Sequence, residues 1–401
     1  MADALRCPVE LTDSQALVRD SVGEICAAFD DAYWRGKDRR GEYPAEFVDA
    51  LAEHGWMGIL LPEAYGGAGM GTEETVVMME EIAASGGGFA AAQAVHGGVY
   101  NSVPVVEYAD EATKEELLPG VAAGDVSIQA FGLTEPNAGS ESTAIETFAE
   151  RDGEEYVVNG GKIWTSRVDH SDYLLLVART TPREAVEKRT RGISMFLVDL
   201  ERARERGELE MEPIPKTASR AVGAFQLWFD DMRLPADSLL GEEGKGFYQV
   251  LDGLNEERLV IAAECIGLGE AALGRGVVYA REREVFGRPI GRNQAIQHPL
   301  AEAYMQLHAA KQLTYDAASR AGDVPRERVG VLANTAKYLA AEAAFEAADA
   351  AVQTHGGFGV AREYDVERYF REARLTRLVP ITQQLALNYV AERELGLPRS
   401  Y

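Results

Sequence analysis

Near the middle of the chain runs Tyr156-Val157-Val158-Asn159-Gly160-Gly161-Lys162-Ile163-Trp164-Thr165-Ser166. Two short β-prone runs flank Asn159-Gly160, a pair suited to the positive backbone angles of a tight turn, so this stretch predicts a hairpin. Similar runs recur at Tyr173 to Val177, Ile193 to Val198 and Ala224 to Phe229, each bounded by turn residues. Strands at this spacing imply a small antiparallel β-barrel or sandwich.

Outward from this segment the period changes from two to that of a helix. Val18, Val22, Ile25 and Phe29 recur at helical spacing behind a cap at Thr12 or Asp13. Pro44 opens a second helix through Phe47, Val48 and Leu51, and Gly66-Gly67-Ala68-Gly69 separates it from a third around Val76 to Ile82. On the other side, Leu300, Tyr304 and Leu307 mark one long helix and the Ala-rich stretch from Val331 to Val352 another. Such helices pack closely and suit a bundle that also serves assembly. The expected class is α+β, with an N-terminal helical domain over 1–125, a middle antiparallel β-barrel domain over 126–238 and a C-terminal four-helix bundle over 239–401.

The 401 residues are 46% hydrophobic, enough to bury a large core, and 65 Asp plus Glu against 40 Lys plus Arg give a formal charge of -25. That charge repels phosphate backbones and anionic lipid, so neither nucleic acid nor membrane insertion is expected. Only eight of the 40 cations are Lys, which together with the acidic surface points to a halophilic source. Cys7, Cys26 and Cys265 form no Cys-x-x-Cys pair, and Asp3, Arg6 and Glu10 occupy the place of a signal peptide's apolar stretch, so a cytoplasmic protein is expected. The six histidines lack metal-ligand spacing and read as structural, with no metal site. Gly267-Leu268-Gly269-Glu270-Ala271-Ala272 loosely matches a dinucleotide fingerprint, but it follows no strand and reads better as close helix packing.

Two stretches stand out: the loop Gly132-Leu133-Thr134-Glu135-Pro136-Asn137-Ala138-Gly139-Ser140-Glu141-Ser142, and Asn159 to Ser166. Together they resemble the acyl-CoA dehydrogenase family, whose β domain carries a Thr-Glu-Pro-x-Ala-Gly-Ser-Asp loop and an Asn-Gly-x-Lys-x-Trp strand. Gly58 to Gly67, Tyr279 to Ile290 with Gln294, and Gln353-Thr354-His355-Gly356-Gly357-Phe358-Gly359 look like three further family elements in the right order. The resemblance implies an FAD enzyme of fatty acid metabolism and β-oxidation. Phe131, Leu133, Thr134, Trp164 and Ser166 would line the flavin ring. Arg283, Phe286, Gln294, Gln353 and Gly357 would hold the diphosphate and adenine of a neighbouring subunit's FAD, which implies a homotetramer.

The reaction needs a carboxylate to remove the α-proton of an acyl-CoA thioester. Most of the family places it in a Tyr-Glu-Gly-Thr tetrapeptide, but the matching stretch here is Val379-Pro380-Ile381-Thr382, and proline cannot act as a base. Thr382 and Gln384 keep the family's cofactor-touching positions. A subgroup that includes isovaleryl-CoA and long-chain enzymes instead carries the base in a Leu-x-x-Glu-Arg pattern, matched by Leu254-Asn255-Glu256-Glu257-Arg258. Phe247, Val250, Leu254, Ile261, Cys265 and Leu268 define an apolar helix face on which Glu257 falls, while Glu256 is expected to point the opposite way. A carboxylate on a buried face must be protonated, paired or used; the plain alternative is a pair with Arg258 or another buried cation. Ser140, Leu254 and Arg258 resemble substrate contacts, and Glu141 replaces the loop's usual Asp.

The reading is therefore an FAD-dependent dehydrogenase that makes trans-2-enoyl-CoA, with an electron-transfer flavoprotein as electron acceptor. The alternatives are oxidase, desulfinase or monooxygenase chemistry on the same fold, or a flavin-binding relative without turnover.

Overall fold

A computed structural model describes residues 5–400, so Asp3 lies outside the described residues. The N-terminal region holds α1 (Asp13–Cys26), α2 (Asp31–Arg40), α3 (Ala45–Glu53), α4 (Thr72–Ile82), α5 (Gly88–Tyr100), α6 (Val103–Tyr108) and α7 (Glu111–Ala123). Thr12 caps α1, its hydroxyl accepting from the Gln15 N–H while the Gln15 side chain accepts from the Thr12 N–H. The helix stops at Cys26, so Phe29 packs edge-on against Phe47 from outside it, and Val18, Val22 and Cys26 form its buried stripe.

The middle region contains β1 (Ala130–Gly132), β2 (Phe148–Asp152), β3 (Glu155–Ser166), β4 (Tyr173–Arg179), β5 (Ile193–Asp199), β6 (Leu209–Pro213), β7 (Ala224–Pro235) and β8 (Leu239–Leu240), with α8 (Leu200–Glu205) after β5. They form one sheet in the order β6-β7-β3-β2-β4-β5-β8, with β1 also on β4. Two expectations are corrected here. Asn159-Gly160 does not turn a hairpin: β3 is a single strand, and its register against β7 slips between Val158 and Gly160. Gly160 takes φ 135°, where a Cβ would lie 2.7 Å from the Thr147 Cα, and the Asn159 side chain donates to Asp231 Oδ1 and accepts from the Asp231 backbone N–H instead of closing a turn. The same residue pair serves a bulge as readily as a turn, because both need positive φ. The sheet is also mixed, not wholly antiparallel, since β1 and β2 each run parallel to β4, and its hydrogen-bonded path ends on β6 and β8.

The C-terminal region comprises α9 (Gly246–Glu282), the hairpin β9 (Glu284–Val285) and β10 (Arg288–Pro289), α10 (Gln294–Ser319), α11 (Arg326–His355), α12 (Val366–Thr376) and α13 (Gln383–Arg393). Where a four-helix bundle is expected, three long helices, α9, α10 and α11, are joined by two short ones, α12 and α13. The central helix is α9, packed by α4 and α5 from the N-terminal region and by α10, α11 and α12. Every residue of it from 259 to 270 is buried. Its glycines permit this: a Cβ on Gly267 would lie 2.3 Å from the Glu80 carbonyl oxygen, and one on Gly269 would lie 2.5 Å from Leu307. The Gly-Leu-Gly run is thus helix packing. No described helix is long and apolar enough to cross a membrane.

Candidate active site

Glu257 sits in the fourth turn of α9, above the fully buried stretch, its side chain 19% exposed. It opens into a cavity of about 430 Å³ bounded by α9, by Tyr100 and Asn101 at the end of α5, by α6, and by Phe131, Leu175 and Met195 of the sheet. Leu254 lines the same cavity. The structure thus brings together Glu257, Leu254 and Phe131. Glu256 is the correction: it lines the cavity beside Glu257. An apolar wheel assigns one face to the core and the other to water, but α9 is enclosed on several sides, so adjacent residues can meet one pocket.

One carboxylate oxygen of Glu257 is buried without a hydrogen-bond partner, and the other lies 3.4 Å from His96 Nε2. The pairing alternative is thus met by another buried group, His96, and not by Arg258. On its other side His96 Nδ1 lies 2.7 Å from Glu264 Oε1, and the second Glu264 oxygen accepts from Gln93 Nε2 at 2.7 Å. Burial alone would discharge the imidazole, but Glu264 and Glu257 outweigh it and hold the pKa up, at about 9. At neutral pH the ring is then a cation donating from both nitrogens, one to each carboxylate. The signal for this arrangement was available, since Glu264 follows Glu257 by seven residues, two turns along one face. Histidine type alone carried no such information.

The loop at 132–142 is positioned by Glu135 and Lys162. Glu135 Oε1 lies 2.7 Å from Lys162 Nζ in a buried pair, and its oxygens also accept from the backbone N–H groups of Glu146 and Thr147. Burial would raise the Glu135 pKa, but Lys162 and these donors reverse that and lower it. Lys162 also donates to the Leu133 carbonyl, and the Ile163 N–H donates to the Thr134 carbonyl. Leu133 and Thr134 are thereby fastened beside Trp164. A second register slip of β3, between Lys162 and Thr165, gives Trp164 a φ of 62° and leaves its indole 54% exposed. Ser166 follows it, and Thr165 Oγ1 is buried with no partner. A half-exposed indole flanked by hydroxyls and half-buried Phe131, Leu133 and Thr134 is a platform suited to a flat aromatic group.

The remaining predicted residues lie elsewhere. Ser140 is exposed on its loop, and Glu141 next to it is paired with Arg183 and Arg189. Arg258 does not line the cavity; its Nη1 donates to Asn255 Oδ1 at 2.9 Å. Arg283, Phe286 and Gln294 are exposed on and beside the β9–β10 hairpin, Phe286 at 99%. Gln353 and Gly357 are exposed at the end of α11, where His355 stacks on Tyr279 of α9 with ring centres 4.1 Å apart. This stack holds both groups at one end of the bundle. Thr382 caps α13, and Gln384 is exposed beside it. A larger cleft of about 1150 Å³, lined by Lys37, Lys216, Arg220, Arg362 and Arg371 among others, contains none of the predicted site residues.

Comparison with known proteins places this geometry. The acyl-CoA dehydrogenase N-terminal, middle and C-terminal domain models match residues 12–125, 130–232 and 244–395. Acyl-CoA dehydrogenase FadE12 of Mycobacterium tuberculosis is 37% identical over 393 residues, 98% of each chain. The 3-(aryl)acrylate reductase of Clostridium sporogenes is 32% identical, covering 89% of this chain and 92% of its own. Among solved structures, butyryl-CoA dehydrogenase from Megasphaera elsdenii superposes with a TM-score of 0.89 at 30% identity, over 97% of this chain and 100% of that one. A glutaryl-CoA dehydrogenase from Mycobacterium smegmatis in complex with FADH2 gives a TM-score of 0.87 at 25% identity, over 98% and 96%. The chain belongs to the acyl-CoA dehydrogenase family of oxidoreductases.

Proposed function

We propose that this protein binds FAD and converts an acyl-CoA thioester to its trans-2-enoyl-CoA, with Glu257 as the base. The observation that carries the reading is the Glu257 carboxylate, which keeps one buried oxygen unpartnered on a residue that lines a cavity shared with Phe131 of the β domain. That oxygen takes the proton from the α carbon, the C–H electron pair forms the new double bond, and the β hydrogen departs as hydride. FAD, when bound, accepts that hydride. His96, held by Glu264, donates to the other Glu257 oxygen and fixes the direction in which the free oxygen points. The low dielectric of the cavity strengthens both contacts.

The exposed indole of Trp164, with Phe131, Leu133, Thr134 and Ser166, would carry the flavin ring. Arg283, Phe286, Gln294, Gln353 and Gly357, exposed at one end of the bundle, would reach a neighbouring subunit's cofactor in a homotetramer. The guanidinium of Arg283 has no ion-pair partner among the described residues and suits a diphosphate. Thr382 and Gln384 would touch the cofactor, and Ser140 and Arg258 would brace the CoA ester from outside the cavity. An electron-transfer flavoprotein in the cytoplasm would reoxidise the enzyme in β-oxidation, and the acidic surface suits high salt.

The test is anaerobic addition of acyl-CoAs to the yellow holoenzyme. Bleaching in the wild type and its loss in Glu257→Gln, with the flavin retained, is the expected result; unchanged turnover of every acyl-CoA in the variant overturns the base assignment. The aryl acrylate reductase among the relatives supports a second reading, the same carbon chemistry run toward reduction. Faster reoxidation of the reduced enzyme by an aryl acrylate than bleaching by any saturated acyl-CoA favours it.

A further inference from the structure

The cavity carries more polar groups than the proposed chemistry uses. Tyr100 Oη, Asn101 Nδ2, Gln249 Oε1 and Glu256 Oε2 are all buried, all without a hydrogen-bond partner, and all on residues that line it. Two of these atoms are donors and two are acceptors. Burial holds the Tyr100 hydroxyl protonated by pushing its pKa well above the ordinary value, so it remains a donor at any working pH. A buried polar atom left unpaired costs on the order of 1–3 kcal/mol, and a plain alkyl chain filling this space would leave all four in that condition. The remaining lining, including Leu60, Val103, Pro104, Val250 and Leu254, is apolar and suits the carbon skeleton.

We infer that the acyl group taken by this cavity carries a neutral hydroxyl beyond its β carbon, held by Tyr100 and Asn101 as donors and by Glu256 or Gln249 as acceptor. A hydroxyl both accepts and donates, so it matches the two kinds of orphaned atom at once. An acyl chain ending in a carboxylate does not fit, because Glu107, Glu256 and Glu257 line the cavity and no Lys or Arg does. The inference rests on the reading of Glu257 as the acyl-CoA site. It makes Tyr100, Asn101 and Glu256 determinants of specificity, one helical turn beyond His96 on α5 and one residue before the base on α9.

The experiment uses the flavin-loaded enzyme with octanoyl-CoA, a set of octanoyl-CoAs hydroxylated at single carbons from C4 outward, an ω-amino analogue, and the dicarboxylic suberyl-CoA. Affinities are measured by calorimetry on Glu257→Gln, where binding is read without turnover, and kcat/KM is measured on the wild type. At least one hydroxylated substrate is expected to exceed octanoyl-CoA tenfold or more in both measurements, with suberyl-CoA the weakest. Tyr100→Phe and Glu256→Leu should each shrink that preference at least threefold. Equal or better binding of octanoyl-CoA, a preference for the amino or dicarboxylic analogue, or an unchanged preference in Tyr100→Phe overturns the inference. Failure of every acyl-CoA to bleach the wild type overturns the dehydrogenase reading, and the calorimetric ranking still decides the substrate class.

Discussion

The two ends of the buried stretch of α9 treat a carboxylate in opposite ways. At Glu270 the side chain is fully buried and completely partnered: Oε1 accepts from the Cys7 N–H and from Lys311, and Oε2 accepts from Arg6. Lys311 also reaches Glu80 on α4 at 2.6 Å, so this cluster ties the N-terminal region to the bundle. Upstream, Glu264 has Gln93 and His96, Glu257 has a single long contact with His96, and the buried oxygen of Glu256 has none. Charge satisfaction thus falls steadily toward the cavity. A fully paired carboxylate can only hold elements together, while an unpaired one retains the lone pairs that a proton or a ligand can use.

The sharpest way to break this comparison is to neutralise the unpaired end. Glu257→Gln should slow flavin reduction by about a thousandfold, within the span of a lost general base, while the unfolding midpoint and circular dichroism stay near wild type. The complementary change at the paired end is Lys311→Met, which leaves Glu80 and Glu270 facing each other. It should cost about 3–5 kcal/mol of stability in a denaturant titration, with little change in kcat for the protein that remains folded. If Lys311→Met proves neutral in stability, the division between the two ends fails.

Between the extremes lies His96, whose folded pKa of about 9 stands above its ordinary 6.5. A raised histidine pKa means that the folded state holds the proton more tightly than the unfolded chain. Its contribution is complete below about pH 6.5 and is lost as the pH rises through about 9. The groups that face it are Glu257 and Glu264 of α9, with Tyr100 stacked on its ring. Unfolding free energies measured from pH 6 to 10 should therefore decline by a few kcal/mol in the wild type, and His96→Gln should flatten that decline. The smallest effect belongs to Glu256→Gln. Burial raises this carboxyl's pKa, so its charge is a cost to folding at neutral pH, and removal should leave stability unchanged or higher by up to about 1 kcal/mol.

Much of this molecule is legible in its residues. The change from helical to alternating period and back locates the β region, and the Thr12 capping box and the β4 and β5 runs fall where patterning puts them. The failures share a cause. Asn159-Gly160 reads as a turn because local chemistry cannot distinguish a hairpin from a bulge; the pairing of β3 with β7 along both halves makes the choice. Glu256 reads as solvent-facing because a wheel knows one core, and α9 has neighbours on several sides. His96 reads as structural because its role lies in Glu257 and Glu264, more than 160 residues away in sequence.

Family membership, the helical–β–helical order and the identity of the candidate base were all available from residue types and spacing, because these are local chemical facts repeated along the chain. Which carboxylates are paired, which are left open, and that Tyr100, Asn101, Gln249 and Glu256 share one cavity were decided only by the tertiary structure. Pairing is a property of distance in space, and the packing of α5, α6 and the sheet around α9 sets those distances.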